Sequence, residues 1–205
     1  MAETGALSLY LALTLTVYGA VGLVLGKTFR SQPLLDSAKR AVYLLPLVLL
    51  VSTLSLVTAF LRHDFRIEYV ASHSSLAMDP VYTWVAFYAG NEGSILYISL
   101  VLAIMTAMIA TQASRSLVAS MPYTLAILLA IQGFFLGVMA TLANPFDLLP
   151  FTPPDGQGIN PLLRHPGMFI HPPMLMAGLI GVAVPFAIAM GVLIEGRITD
   201  AWVDI

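Results

Sequence analysis

The chain alternates between five long apolar runs and polar segments of unequal length. A helix needs about 20 consecutive, mostly apolar residues to cross a bilayer, and each run comes close to that length. We predict membrane-spanning helices at residues 7–25, 41–61, 94–111, 123–142 and 172–194. The pattern therefore predicts an all-α polytopic membrane protein in which residues 1–205 form a single transmembrane domain.

Two polar segments, residues 62–93 and 143–169, are much longer than the others. The first contains an aromatic stretch at residues 81–90, which predicts either a helix at the membrane interface or an early start of the third span. Residues 144–173 form a proline- and glycine-rich stretch with interleaved Phe and Leu residues. Long loops without regular structure are usually functional or disordered, and the apolar residues here favour an ordered, packed loop.

Composition supports the membrane assignment and excludes several kinds of chemical site. Hydrophobic residues make up 59% of the chain and charged residues 10%, against roughly 25% charged residues in a soluble domain. The net charge of −2 gives no reason to expect nucleic acid as a partner. The chain has no cysteine, which excludes disulfides, thiolate nucleophiles, cysteine-based zinc sites and iron–sulfur clusters built from this chain alone.

The distribution of Lys and Arg predicts the topology, because cytoplasmic segments carry the excess of positive charge. One side receives six basic residues in short segments: Lys27, Arg30, Lys39, Arg40, Arg115 and Arg197. The other side receives three, spread over the two long loops: Arg62, Arg66 and Arg164. We therefore expect the N-terminus outside and both long loops, with all four histidines, on the extracytoplasmic side.

His171 is the strongest candidate for chemistry, because it stands at the start of the last span with Pro172 and Pro173 in the first helical turn. Prolines are tolerated there, since first-turn amides have no intrahelical partner. A rigidly held imidazole is suited to ligate a metal or haem iron or to act as a general acid or base. The alternative is a histidine that only caps the helix or bonds a loop carbonyl.

The other histidines give weaker signals. His165 precedes Pro166 and lies six residues before His171, a spacing that supports a shared metal only weakly. His73 lies in a segment that we interpret as a polar loop, where it either supports the site or is solvated. His63 follows the second span directly, and a position at the membrane interface accounts for it.

Two polar residues of the proline-rich stretch are interpreted as loop support around His171. Asp155 precedes Gly156 and Asn160 precedes Pro161, and both pairs predict turns. Glu92 falls where the third span begins, where the helix dipole favours a carboxylate. The sequence shows no recognisable nucleophile–base pair and no phosphate-binding glycine loop.

Several blocks of the sequence resemble a known family. NPFDLLP, PPDGQGINPLLRHPGMFIHPP, GVAVPFAIAM and GRITDAW resemble the N-terminal portion of CcmF-type cytochrome c haem lyase subunits, which belong to system I cytochrome c maturation. DFRIEYVASHSS and the EGS that begins at Glu92 resemble two earlier blocks of the same family. The resemblance runs in order from Asp64 to Trp202.

The resemblance implies a haem-handling function. Members of this family receive haem b as a transient substrate from the haem chaperone CcmE and attach its vinyl groups to the CxxCH cysteines of apocytochrome c on the periplasmic side. The family histidine of the FIHPP block corresponds to His171, an expected axial ligand of the haem iron. The resemblance also implies a CcmH-type thiol-handling partner and a location in a bacterial or organellar inner membrane.

The sequence also departs from the family pattern. The family histidine before EGS is Asn91 in this chain, and the tryptophan-rich haem cradle, a second outward histidine and the histidines of a resident haem are not found. We therefore expect a piece of a split lyase or the N-terminal part of a longer protein, incomplete as an enzyme alone. The alternative is a structural membrane subunit that scaffolds a haem or respiratory complex. A transporter is disfavoured because the five spans hold essentially no charged residue.

Overall fold

The computed structural model describes residues 1–111 and 119–196 and is dominated by α-helices. Five helical segments in this part of the chain are long and apolar enough to cross a membrane, which confirms the all-α polytopic prediction. The helices are α1 (Ala2–Thr28), α2 (Gln32–Leu61), α3 (Glu68–His73), α4 (Thr83–Phe87), α5 (Asn91–Thr111), α6 (Met121–Thr141), α7 (His171–Gly181) and α8 (Ala183–Glu195). Short 3-10 helices lie at Pro80–Tyr82, Pro161–Arg164 and Pro166–Phe169.

The first two helices extend further than their apolar cores predict. Only residues 29–31 connect them, so Lys27 lies on α1 and Lys39 and Arg40 lie on α2 instead of in a loop. Arg30 makes the turn with a left-handed φ of 54°, and the Ser31 N–H closes the end of α1 on the Gly26 carbonyl at 2.8 Å. The basic residues therefore remain at one end of the bundle. Arg115 and Arg197 lie outside the described residues.

The last predicted span consists of two helices, α7 and α8, that meet at Val182. Pro185 explains the break, because it has no N–H for the Gly181 carbonyl and its ring crowds that carbonyl. The sequence contains this signal, since Pro185 lies inside the last apolar run. The prediction of one continuous helix for this span is therefore wrong at Val182.

The long helices pack as a bundle in which α6 contacts α1, α5 and α8. α1 packs against α2 and α6, α5 packs against α2 and α6, and α8 packs against α6. Leucines of these helices, such as Leu9, Leu49 and Leu125, are fully buried. α7 contacts mainly α5 and the 3-10 helix before it, and its outer side, including Met174 and Leu179, remains exposed.

The two long segments pack on each other at the end of the bundle opposite residues 29–31. Ile67 and Leu148 form an antiparallel bridge, with the Glu68 N–H donating to the Asp147 carbonyl at 2.9 Å. Further along, the Gln157 N–H donates to the Ala71 carbonyl at 2.7 Å. The proline-rich stretch is thus held by backbone hydrogen bonds to the first long segment. This layer positions the candidate site.

Candidate functional site

His171 is the first residue of α7 and its side chain is exposed. Pro172 and Pro173 occupy the first turn of the helix, as the sequence predicts, and Pro173 is buried while His171 is not. Within residues 1–111 and 119–196, no hydrogen bond or ion pair involves the imidazole. Either ring nitrogen is therefore free to present the lone pair that a metal ion binds.

His165 has a different local role. Its Nδ1 accepts a hydrogen bond of 3.0 Å from the Gly167 N–H and caps the 3-10 helix Pro166–Phe169. A neutral imidazole whose Nδ1 accepts carries its proton on Nε2, so neither nitrogen of neutral His165 offers a lone pair to a metal. The position of His165 identifies it as a cap of the segment that leads to His171.

His73 lies at the end of α3 and is half-buried, so the polar loop predicted there is wrong. Its Nδ1 lies 3.0 Å from the Tyr69 carbonyl oxygen, which only accepts, so Nδ1 carries the proton and Nε2 holds the lone pair. A Cβ built on Gly90 would lie 2.8 Å from that Nε2, so the Gly90 backbone closely approaches this nitrogen. His73 also lines an outer cavity of about 230 Å³ together with Glu68, Glu92 and Asp147.

His63 lies just beyond the C-terminus of α2 and has a left-handed backbone with φ of 50°. The Asp64 N–H donates to the Ala59 carbonyl at 3.0 Å, which closes the helix end. The His63 Nδ1 is buried and has no hydrogen-bond partner among the described residues. His63 therefore belongs to a helix terminus and is not part of the His171 region.

Asp155 and Asn160 both support the loop, as their turn patterns predict. The Asp155 Oδ1 accepts from the Leu76 N–H at 2.8 Å and from the Gly156 N–H at 2.7 Å, which joins the two long segments. The Asn160 Oδ1 accepts from the Leu162 N–H at 3.0 Å and caps the 3-10 helix Pro161–Arg164. These two side chains hold the loop, and among the described residues neither forms a hydrogen bond with the imidazole of His171.

Aromatic side chains on and before α5 donate hydrogen bonds to main-chain carbonyls on either side of His171. Trp84 Nε1 donates to the Phe169 carbonyl at 3.0 Å, and the Tyr88 hydroxyl donates to the Met168 carbonyl. On α5, the Tyr97 hydroxyl donates to the Pro173 carbonyl at 3.2 Å. The aromatic stretch forms the separate short helix α4, so an early start of the third span is wrong.

Sequence reasoning missed this role of the aromatic residues, although a signal for it exists. Helical carbonyls accept from N–H groups three or four residues later, and prolines at 172 and 173 remove those donors. The Phe169 carbonyl loses both, so an outside donor is required if it is not to stay unpaired. Burial, with a smaller contribution from Tyr97, raises the pKa of Tyr88 to about 12, so its hydroxyl keeps the proton that it donates.

A sequence model of one family, described as "Cytochrome C assembly protein", matches residues 88–201. The match covers more than half of the chain and includes Tyr88, the proline-rich stretch and His171.

Curated proteins from several bacteria are similar to the chain. CcmF of Pseudomonas aeruginosa is 38% identical over 148 residues, which are 72% of this chain and 22% of the relative. CcmF of Escherichia coli is 34% identical over 198 residues, which are 96% of this chain and 30% of the relative. A solved structure described as "Cytochrome c Heme Lyase CcmF" superimposes with a TM-score of 0.84 at 32% identity, covering 99% of this chain and 32% of that one. The chain spans about a third of the length of the proteins that it matches, or less.

Proposed function

The chain belongs to the cytochrome c assembly protein family, and on that premise we propose that it forms one side of a haem lyase site in cytochrome c maturation. His171 offers its imidazole to the iron of haem b, the transient substrate. The haem is held there for covalent attachment to the CxxCH motif of apocytochrome c. Because the chain spans about a third of the similar CcmF proteins, the proposal concerns this side of the site alone.

The availability of the His171 imidazole supports the proposal more than any other observation. The three other histidines are tied to local structure: His165 caps a 3-10 helix, His73 bonds the Tyr69 carbonyl, and His63 ends α2. Only His171 is exposed and, among the described residues, without a hydrogen bond. An imidazole nitrogen with a free lone pair is the usual protein ligand of haem iron.

The contribution of this side of the site is orientation. Joining a vinyl group to a thiol requires the haem and the two cysteines to be held in a productive arrangement. The first turn of α7 contains two prolines, so its backbone has little freedom. An imidazole on this turn therefore restricts where the iron lies relative to the bilayer surface.

We propose that the layer formed by the two long segments faces the extracytoplasmic side of an inner membrane. Lys27, Arg30, Lys39 and Arg40 lie at the opposite end of the bundle, which agrees with the excess of positive charge in cytoplasmic segments. On the outer side we expect three partners: a CcmE-type haem chaperone, the apocytochrome and a CcmH-type thiol-handling subunit.

The proposal is tested by the haem content of the chain purified from cells that also express the chaperone and the other maturation proteins. The His171→Ala variant is expected to lose at least about nine-tenths of the haem bound by the unsubstituted chain, because it removes an iron ligand. The matched control is His63→Asn, which removes an imidazole away from the site and tolerates a left-handed backbone.

Equal haem in the unsubstituted chain and the His171→Ala variant would contradict the ligand role. If cytochrome c maturation also continued in cells that carry only His171→Ala, the chain would instead be a structural scaffold. A cysteine at Gln157, on the exposed loop, should react with an impermeant reagent from outside. Reaction only from the cytoplasm would contradict the proposed orientation.

A further inference from the structure

We propose that Trp84 and Tyr88, which together we call the aromatic clamp, are positioning residues that fix His171 through the carbonyls of Phe169 and Met168. The expected effect on haem binding rests on the proposed function. The expected effect on the position of the segment rests on the geometry of residues 168–173 alone.

The two prolines after His171 create the need for outside donors. In a helical turn, the Phe169 carbonyl would accept from the N–H of residue 172 or 173, and both are prolines. The Met168 carbonyl would accept from residue 172, also a proline, or from His171, and among the described residues the His171 N–H makes no such bond. The turn that leads into α7 therefore lacks its own donors at two consecutive carbonyls.

The aromatic clamp supplies one donor to each of these carbonyls. Trp84 Nε1 reaches the Phe169 carbonyl at 3.0 Å and the Tyr88 hydroxyl reaches the Met168 carbonyl. Trp84 lies on α4 and Tyr88 directly follows its last residue. The two residues are four positions apart, which is about one helical turn, so their side chains project on the same side. The spacing of Trp84 and Tyr88 thus matches the neighbouring carbonyls of Phe169 and Met168.

Other contacts keep the aromatic clamp itself in place. The rings of Trp84 and Tyr88 meet edge to face with centroids 5.4 Å apart, and Trp84 meets Tyr97 in the same way at 6.2 Å. The buried Tyr69 hydroxyl holds the last residue of α4, because it donates to the Phe87 carbonyl at 3.0 Å. The connection from the bundle to His171 is therefore continuous: Tyr69, α4, the aromatic clamp, residues 168–169 and α7.

The first arm of the test measures the position of the segment without haem. Because the chain has no cysteine, a single cysteine at Ile170, which is 70% exposed, accepts one nitroxide label. Its electron paramagnetic resonance spectrum is compared for the full chain and for Trp84→Phe, Tyr88→Phe and the double variant. Phe keeps an aromatic ring and removes the donor. The matched control is Tyr43→Phe, which removes a tyrosine bond of 3.2 Å to the Ala110 carbonyl at the other end of the bundle.

We expect the mobile fraction of the label to rise roughly tenfold in Tyr88→Phe, since an acceptor left unpaired away from water shifts a local equilibrium by about that factor. Trp84→Phe should have a smaller effect because its bond is exposed to solvent, and Tyr43→Phe should have none. An unchanged label in the double variant would overturn the proposal.

The second arm measures the absorbance of bound haem in the same variants, purified with the chaperone and the other maturation proteins present. The double variant should bind several-fold less haem, with a spectrum close to that of His171→Ala. A mobile label together with an unchanged haem spectrum would overturn the positioning role. Equal haem in His171→Ala and the unsubstituted chain would instead contradict the proposed function, and the label would still decide whether the aromatic clamp holds the segment.

Discussion

Two histidines in the second long segment begin similar tripeptides, His165-Pro-Gly and His171-Pro-Pro. Among the described residues, the imidazole of His165 forms a hydrogen bond and that of His171 does not. The His165 Nδ1 accepts from the N–H two residues later, on Gly167, at 3.0 Å. Two residues after His171 stands Pro173, which has no N–H. His171 cannot cap its own helix in this way, and its imidazole stays exposed. His165 precedes its 3-10 helix, whereas His171 is the first residue of α7. We infer that this position and Pro173 together leave the imidazole of His171 without a capping bond.

The two segments also differ in what holds them. The turn after His165 is satisfied locally, by its own side chain and by the Met168 N–H, which donates to the His165 carbonyl at 2.9 Å. The turn around His171 depends on the donors of Trp84, Tyr88 and Tyr97. The position of the imidazole that is free to bind iron therefore depends on aromatic residues far away in the sequence. Three substitutions and a change of pH test this difference, and their expected effects decrease from Gly93→Ala to acidification.

Gly93→Ala should disturb the His171 side most strongly. A Cβ at Gly93 would overlap the Phe87 carbonyl and lie 2.6 Å from the Tyr69 hydroxyl, so the backbone that carries Tyr88 must move. Overpacking of this kind costs about 3 kcal/mol of unfolding free energy. The measurement is thermal unfolding in detergent, with Gly137→Ala as control, because a Cβ at Gly137 meets nothing within 4 Å. Equal melting temperatures would show that α4 does not depend on this close approach.

Pro173→Gly should convert His171-Pro-Pro into the pattern of His165. The new N–H at residue 173 is expected to donate to the His171 Nδ1, which places the ring proton on Nε2. Capping bonds of this type contribute about 1 kcal/mol, so haem bound per chain should fall by roughly fivefold to tenfold. Pro185→Gly in α8 is the control proline. Undiminished haem binding in Pro173→Gly would contradict the role of Pro173 in keeping the imidazole of His171 free.

His165→Ala should affect local stability and leave the iron ligand in place. Loss of the cap is expected to cost about 1 kcal/mol, measured as faster hydrogen exchange at residues 167 and 168. His165→Asn should restore protection, because an Asn side chain also accepts from the N–H two residues later. If His165→Ala lost haem as fully as His171→Ala while His165→Asn did not restore it, His165 would be a ligand and the comparison would fail.

Acidification should produce the smallest effect, through Asp64 in the first long segment. The hydrogen bonds from Arg66, at 2.7 Å, lower the pKa of Asp64 below its ordinary value of 3.8. Its stabilising contribution is therefore complete above that value and is lost as the pH falls through the lowered pKa. Unfolding midpoints below about pH 5 should fall less steeply for Asp64→Asn than for the unsubstituted chain. Parallel curves would show that the pair contributes nothing measurable.

The sequence predicted the bundle well because long apolar runs have one stable arrangement in lipid. All five predicted spans correspond to helical segments, and α7 begins at His171 beside the two prolines. The ends of α1 and α2 were missed because helices continue past the apolar core when their polar residues are solvated, as at Lys39 and Arg40. The break at Val182 was predictable from Pro185.

The site was only half predictable. The restricted backbone around His171 follows from the rings of Pro172 and Pro173, which can be read directly from the sequence. The carbonyls that accept from Trp84 and Tyr88 lie 85 and 80 positions away along the chain, and only the packing of the two long segments brings them together. The bond of His73 to the Tyr69 carbonyl could not be predicted either, because it depends on α3, a single short helix inside a polar segment.

The central claim, that His171 is the free iron ligand of this side of the site, is tested most directly by chemical rescue. The His171→Gly variant is purified with the maturation proteins present, and the haem absorbance is recorded before and after imidazole is added. The account predicts that His171→Gly loses the spectrum of the unsubstituted chain and that free imidazole restores it by occupying the vacated position. A spectrum that is unchanged by His171→Gly, with no response to imidazole, would contradict the claim.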